Sequence, residues 1–180
     1  MTEYPVYNYC ITDGGNPGLT PEMTQTLYDL MFRYADTFSF SRPGYRNRLP
    51  DRMNPKKTPL RDRLRPYFMK KIHADGWYGW PEAEVEVFIY RCCGETREIL
   101  WDLVPELFLQ AESHRVYGLI YPEFEDLCFY RKGKMLLGSL SHEFMCTVYP
   151  PEDEIFPADI LNTIGKWQPA VCSARFDIIK

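Results

Sequence analysis

Residues 121–150 constrain the fold of this chain more than any other stretch of its sequence. They contain three short runs of aromatic and aliphatic residues, at 127–131, 135–140 and 144–149, separated by Lys132-Gly133 and by Ser141-His142-Glu143. Such runs, bounded by turn-forming residues, are typical of β-strands joined by tight turns. We therefore predict a three-stranded antiparallel β-meander, which the rest of the chain must cover.

Two segments have the periodicity of amphipathic helices. In the first, Thr20 is a favoured N-cap, Pro21 suits the first helical position, and apolar residues recur at every third or fourth position up to Tyr34. The second segment, 95–110, has the same spacing, and Pro105 predicts a kink in it. Each helix would present one apolar stripe to the sheet.

The remaining segments complete an α+β pattern. Strands are predicted at 4–11, 38–40, 84–91 and, as an edge strand, in the tail 171–180, whereas weaker helical patterns at 60–73 and 152–167 are interrupted by Pro66 and Pro157. This order predicts a single α+β domain over residues 1–180. Its sheet would be antiparallel or mixed, with the β-meander in the C-terminal half and two to four helices packed mainly on one face.

Charge is unevenly distributed along the chain. The segment 42–71 has eleven Lys and Arg residues against Asp51 and Asp62, which is +9, whereas the net charge of the whole chain is −4. A cationic segment on an anionic body either folds back onto it or meets an acidic partner. The basic segment 42–71 is therefore a candidate binding element.

Prolines make a long helix unfavourable in the first half of this basic segment. They stand at positions 43, 50, 55 and 59, so we predict a long basic loop at 41–59. A connection of this length without secondary structure is usually functional or mobile. Arg46, Arg48 and Arg52 of this loop are candidate partner-binding residues.

The composition argues against several classes of protein. No pair of the six cysteines has the spacing of a zinc knuckle, and Cys128 and Cys146 would lie on the two outer strands of the meander, too far apart for a disulfide. No apolar run approaches the roughly 20 residues that span a bilayer, and the N-terminus has no secretory pattern. We expect a cytoplasmic protein with buried thiols, no membrane contact and no cofactor.

Three short motifs resemble those of a known group of proteins. They are Trp80-Pro81, the run EDLCFYR at 125–131, and Ser141-His142-Glu143. The chain resembles, over about 80–149, a loosely defined group of small and mostly uncharacterised bacterial proteins that often carry W-P-G, P-E-D-L-C-F-Y-R and S-H-E motifs. It departs from that pattern in lacking glycine after Pro81 and in having Phe124 inside the second motif. Because similar proteins tend to be encoded near toxins, the resemblance implies an immunity or adaptor role, and it supplies no catalytic residues.

His142 and Glu143 are the candidate catalytic pair. An imidazole and a carboxylate on one turn could transfer a proton, and the nucleophile would then be Ser139, Ser141 or a thiol. A polar turn that is satisfied by its own backbone explains the same residues. A small hydrolase-like enzyme centred on this pair is therefore an alternative to a non-enzymatic protein.

The three histidines of the chain do not have the spacing of a metal site. His73, His114 and His142 each lie near a carboxylate in the sequence, but no H-E-x-x-H or other short ligand motif is present. We therefore expect exposed or hydrogen-bonded histidines and predict no metal site.

The turn at 76–81 concentrates aromatic side chains. Trp77, Tyr78 and Trp80 belong to the residue types that most often anchor protein interfaces. The same rings could instead fill the edge of the core, because the glycines and the proline of this turn allow a tight approach to the next strand. We retain the three residues as candidate partner-binding residues.

The function that these features favour is binding of another protein. The chain would be a non-enzymatic cytoplasmic module, an immunity or adaptor protein, which meets its partner through Arg46, Arg48, Arg52 and the aromatic turn. A toxin would be such a partner, and charge attraction would speed the encounter.

A nucleic-acid-associated protein is the second alternative. Basic residues of segment 42–71 would neutralise phosphates while Tyr45, Tyr67 and Phe68 stack on bases. The pI of about 5.4 argues against a dedicated nucleic-acid binder.

Overall fold

The computed structural model describes residues 3–11, 18–43, 59–78, 80–108 and 124–172. In these ranges the chain forms eight strands, four α-helices and two 3-10 helices, Arg65–Tyr67 and Ser141–Glu143. The strands and α-helices are, in chain order, β1 (Tyr4–Cys10), α1 (Pro21–Tyr34), β2 (Thr37–Pro43), α2 (Pro59–Leu64), β3 (Phe68–Trp77), β4 (Trp80–Arg91), α3 (Gly94–Leu103), β5 (Glu125–Arg131), β6 (Lys134–Leu140), β7 (Met145–Val148), α4 (Asp159–Thr163) and β8 (Gln168–Cys172).

All eight strands belong to one antiparallel sheet. Their order is β3-β4-β2-β5-β6-β7-β1-β8, and each neighbouring pair is antiparallel. The predicted meander is confirmed as β5, β6 and β7, and its first turn has Lys132 and Gly133 at positive φ angles of 51° and 80°. The predicted α+β fold is therefore confirmed, with an antiparallel sheet.

Helix α1 begins as its sequence predicts, but α3 is shorter than predicted. The Thr20 side chain accepts a hydrogen bond from the backbone N–H of Met23, and Pro21 occupies the first helical position. Helix α3 ends at Leu103 rather than continuing through a kink to residue 110. Pro105 explains this end, since proline has no N–H to donate and disfavours helical geometry in the residue before it.

The predicted helix at 60–73 is wrong over its second half. Helix α2 ends at Leu64, the chain makes the 3-10 turn around Pro66, and β3 begins at Phe68. Two factors favour the strand: Pro66 interrupts helical hydrogen bonding, and Ile72 and Ala74 pack beside β4 as alternating strand residues. The predicted helix at 152–167 is likewise reduced to α4, which begins after Pro157.

The predicted loop 41–59 and the predicted tail strand 171–180 lie partly outside the described residues. Strand β2 continues to Pro43 and α2 begins at Pro59, so both ends of the predicted loop belong to regular elements. Residues 44–58 are outside the described ranges. The edge strand near the C-terminus is β8, Gln168–Cys172, which begins earlier than predicted, and residues 173–180 are again outside the description.

The helices pack mainly on one face of the sheet, against a layer of aromatic rings. Phe38 of β2 lies at the centre of this layer, with ring centroids 5.4 Å from Tyr90 of β4 and 5.9 Å from Phe129 of β5. Leu27 and Tyr28 of α1 belong to the same buried cluster. The apolar stripe predicted for α1 therefore covers the middle of the sheet.

The opposite face of the sheet is covered because the sheet curls, so that residues from strands near its two ends pack against residues of its middle strands. Its buried cluster combines residues from both ends of the strand order, such as Trp77 and Val6, with Tyr130 from the middle. The rings of Tyr78, after β3, and Tyr149, after β7, have centroids 6.4 Å apart. Tyr78 lies between β3 and β4, and four strand spacings separate β4 from β7 in the strand order. In a flat sheet these two strands would therefore be about 19 Å apart. The sheet is therefore strongly curled, and the tip of the β3–β4 hairpin lies over β6.

Gly138 of β6 provides a test of this packing. A Cβ atom at this position would lie 2.8 Å from two atoms of the Tyr78 ring and 2.6 Å from the Met135 sulfur. We expect Gly138→Ala to lower the free energy of unfolding by about 1–3 kcal/mol, as overpacking of a core does. Urea titration measures this loss, which should become smaller in a Tyr78→Leu background because the ring is absent.

Gly94→Ala is the matched control, since a Cβ atom there has no heavy atom within 4 Å. This variant should leave the free energy of unfolding unchanged or raise it slightly. Equal losses in the two alanine variants, or no relief from Tyr78→Leu, would contradict the packing of the hairpin tip over β6.

Candidate functional site

Strand β3 is an edge strand with exposed apolar and basic side chains. It is first in the strand order, and β4 is the only strand that pairs with it among the described residues. Phe68 and Met69 are 45% and 55% exposed. Lys70 and Lys71 follow them and are also exposed. Large apolar side chains grouped on a strand edge are typical of an interaction surface.

Helix α2 and the following 3-10 turn add positive charge beside this edge. Over residues 59–71 the sequence has five basic residues against one acidic residue, Asp62. Arg61, Arg63 and Arg65 are exposed, and Arg63 forms an ion pair with Asp102 of α3. Neither Arg65 nor Lys70 has an ion-pair partner within the described part of the chain.

We define the basic edge as Arg61, Arg65, Phe68, Met69, Lys70 and Lys71. A pocket of about 390 Å³ lies beside it, between α2 and the β3–β4 hairpin, and is lined by Arg61, Asp62, Arg65, Phe68, Phe88 and Tyr90. Phe88 and Tyr90 are buried and form its aromatic floor, and the Phe68 ring packs edge-on against Tyr90 with centroids 5.8 Å apart. An aromatic floor with two arginines at the rim suits a ligand with an apolar body and an acidic group.

Glu86 of β4 interacts with three groups from the neighbouring strands. Lys71 donates a hydrogen bond to its carboxylate at 2.7 Å, and Arg42 and His73 each have a nitrogen 3.9 Å from it. The Lys71 hydrogen bond is the main reason that the pKa of Glu86 is lowered, with partial burial opposing it and the neighbouring charges adding to it. Part of the basic segment 42–71 therefore folds back on the acidic body of the same chain.

The aromatic turn lies at the other end of β3 from Phe68. Trp77 is 2% exposed and packs in the cluster that covers the second face of the sheet. Tyr78 is partly buried against Tyr149, and this burial raises the pKa of its hydroxyl. Trp80 begins β4 opposite Trp77, and its side chain is outside the described part. A role of these three residues in partner binding stays a prediction, as does that of Arg46, Arg48 and Arg52, which lie outside the described residues.

The turn that carries His142 and Glu143 is the 3-10 helix Ser141–Glu143. Glu143 is exposed, and the His142 side chain is outside the described part. The two serines considered as nucleophiles are buried: the Ser139 hydroxyl donates to the Leu127 carbonyl at 2.9 Å, and the Ser141 hydroxyl accepts from a backbone N–H at 3.1 Å. Buried hydroxyls that are already bound to the backbone favour a structural role over nucleophilic chemistry.

Asp126 is the centre of these structural hydrogen bonds. It is 2% exposed, and its carboxylate accepts one bond from the Ser141 N–H at 2.8 Å and another from the Ser41 hydroxyl at 3.1 Å. Its φ angle of 48° is left-handed, a conformation that aspartate tolerates better than most residues. Asp126 therefore joins β2, β5 and the end of β6, and its hydrogen-bonding capacity serves the fold.

Burial also makes three of the thiols poor nucleophiles. It raises the pKa of Cys128 to about 12 and raises the pKa values of Cys92 and Cys146 as well. Because the thiolate is the reactive form, burial disfavours the nucleophilic state of these three groups. Cys128 and Cys146 are free thiols on β5 and β7, with β6 between them, as expected from the meander.

The described residues also bear on metal binding and on membrane crossing. In the ranges that the structure describes, no group of three or more His, Cys, Asp and Glu side chains is placed to hold a metal ion. None of the helices in these ranges is long and apolar enough to cross a membrane.

Comparisons with protein-family models, curated proteins and solved structures found no match for this chain. The resemblance to toxin-associated bacterial proteins therefore stays a prediction. The basic edge and its pocket are the features from which a function can be argued.

Lys71 provides a test of the ion pair at this edge. Because Lys71 lowers the pKa of Glu86 in the folded chain, ionised Glu86 stabilises the fold above its ordinary pKa of 4.5, and this stabilisation is lost as the pH falls through the lowered value. We expect Lys71→Met to raise the Glu86 pKa and to reduce the free energy of unfolding at neutral pH by less than about 1 kcal/mol. NMR titration of the carboxyl group and urea unfolding at neutral and acidic pH measure the two effects.

Lys70→Met is the control, because the adjacent Lys70 has no ion-pair partner in the described residues. It should leave the Glu86 titration nearly unchanged. An equal shift in both variants would mean that the general positive potential of the edge, and not the Lys71 hydrogen bond, lowers the pKa of Glu86.

Proposed function

We propose that this chain is a non-enzymatic module that binds another protein through the basic edge. The observation that carries the proposal is the position of Phe68 and Met69, which are 45% and 55% exposed on an edge strand. Four exposed basic residues lie within eight positions of these two residues along the chain, and Phe68 also lines the aromatic-floored pocket. Aromatic residues, methionine and arginine are all enriched at protein interfaces.

The two exposed side chains and the surrounding charges would have different roles in binding. Covering Phe68 and Met69 removes apolar surface from water, which contributes on the order of 1–2 kcal/mol for each side chain. Arg65 and Lys70, which have no ion-pair partner in the described residues, would instead attract an acidic partner and raise its association rate. The expected partner surface is therefore apolar at its centre and acidic at its rim.

We extend this proposal to an immunity or adaptor role in the cytoplasm, with a toxin as the partner. The resemblance to toxin-associated bacterial proteins supports this extension. Arg46, Arg48 and Arg52 would add positive charge to this binding element, because their segment joins α2 at Pro59, two residues before Arg61. A partner that also contacted the aromatic turn would extend along β3 for about 30 Å.

Nucleic acid is the second candidate ligand, because the same edge combines basic side chains with the exposed Phe68 ring. Two of the local charges already have acidic partners, Lys71 with Glu86 and Arg63 with Asp102. Met69 adds exposed apolar surface without an aromatic face on which a base could stack. These contacts favour a protein over a nucleic acid.

Affinity capture from a lysate of the source organism tests the proposed function. The tagged chain is compared with the double variant Phe68→Ser/Met69→Ser, with and without nuclease treatment. We expect a stoichiometric protein to be retained by the original chain after nuclease treatment and to be lost, at least about tenfold, from the variant, since the two side chains form the centre of the surface.

Met145→Ser is the matched control, because Met145 is also exposed, at 41%, but lies on β7, away from the basic edge. It should retain the partner. Retention that depends on nucleic acid would favour the second candidate, and a protein retained equally by all variants would place the binding surface elsewhere.

A further inference from the structure

We infer that the basic edge binds an acidic, extended segment of its partner, which pairs with β3 as an additional strand of the sheet. This inference rests on the proposed function and specifies the chemistry of the partner. Pairing along a strand edge would provide backbone hydrogen bonds, while the side chains of the edge would select the charge of the segment.

The backbone of β3 is suited to accept another strand. Between two register shifts, residues 70–75 pair regularly with residues 84–89 of β4. In antiparallel pairing every second residue directs its N–H and C=O groups away from the partner strand. On the outer side of β3 the structure describes no further strand, so this regular stretch can act as a template.

The other edge of the sheet is less suited to pairing. Strand β8 has five residues and includes Pro169, which has no N–H to donate. Strand β3 has ten residues and no proline. Short edges and prolines limit strand addition in natural sheets; β8 has both of these features and β3 has neither, and the register shifts of β3 lie outside residues 70–75.

The charge of the basic edge favours an acidic segment. Arg61, Arg65, Lys70 and Lys71 are exposed there, and Asp75 near the far end of β3 is the acidic residue of that strand. A carboxylate-rich strand would be attracted at the Phe68 end of this edge, where the four basic residues lie. A second copy of the same edge would instead bring the same net positive charge to the contact.

The pocket beside Phe68 indicates which type of side chain the partner segment would insert there. It lies between α2 and the β3–β4 hairpin, where side chains on the helix side of an added strand would reach it. Its floor of Phe88 and Tyr90 is apolar, and the charged residues that line it are Arg61, Arg65 and Asp62, which together carry a net positive charge. A large apolar side chain flanked by carboxylates fits this combination.

Peptide selection tests the inference. A displayed library of random peptides, each as long as β3, is selected against the full chain. We expect the enriched peptides to be acidic and to contain alternating apolar residues. They should bind Arg65→Glu/Lys70→Glu at least about tenfold more weakly, because two attractive charges become repulsive. Neither substituted residue has an ion-pair partner in the described part, so circular dichroism should confirm an intact fold.

Backbone pairing is measured separately from charge attraction. In the complex with the best acidic peptide, NMR hydrogen exchange should slow at alternate amides of residues 70–75, which face away from β4. Two versions of that peptide, N-methylated at the odd or at the even residues, keep its charge. One of them should bind at least about tenfold more weakly, because its methyl groups replace the donors that pair with β3.

The outcomes separate this inference from the proposed function. Neutral or basic enriched peptides, no enrichment, equal binding of both N-methylated versions, or protection outside β3 would each overturn strand addition. Protection of the same amides by self-association without peptide would also overturn it. If strand addition fails while Phe68→Ser/Met69→Ser still abolishes partner capture, the proposed function stands. If capture is insensitive to those substitutions, both proposals fail.

Discussion

Burial of the central strands on both faces is the constraint on which the rest of this structure depends. Helices cover one face of β5 and β6, and the curl of the sheet covers the other. The curl places Tyr78 over Gly138 and against Tyr149. This arrangement needs a long β3–β4 hairpin, because the end of β3 must reach over β6 and be buried there. Its opposite end, at Phe68, is left as an exposed edge, so the demand for burial also explains where the proposed binding surface lies.

Similar residue types therefore have different roles along one hairpin. Trp77 is in the core, whereas Phe68 is 45% exposed on the edge. The basic segment divides in the same way, because Lys71 is matched by Glu86 while Lys70 has no ion-pair partner in the described residues. The hydroxyls of Ser139 and Ser141 and the carboxylate of Asp126 are occupied by hydrogen bonds that join the strands. These polar groups thus serve the fold, and the binding that we propose is carried by the basic edge.

Local sequence signals predicted the meander and the start of α1, because a turn or an N-cap depends on residues only a few positions apart. The error at 60–73 came from extending the helical pattern that begins at Leu60, which does lie in α2, past Pro66 to residues whose pairing with β4 decided their conformation. For the candidate site, the sequence indicated that the charge of 42–71 matters. It gave no sign that Phe68 and Met69 would stand on an open edge, since that depends on which strand lies outermost.

The sequence by itself determined the α+β class, the turns of the meander, the first helix and the uneven distribution of charge, because each follows from propensity, periodicity or composition within a short segment. Only the tertiary structure decided which aromatic side chains are buried and which basic residues have acidic partners. Those outcomes depend on contacts between distant parts of the chain, such as β2 lying between β4 and β5 and Tyr78 reaching Tyr149. Local propensity carries no information about such pairings, because their free energy arises only when both partners are brought together.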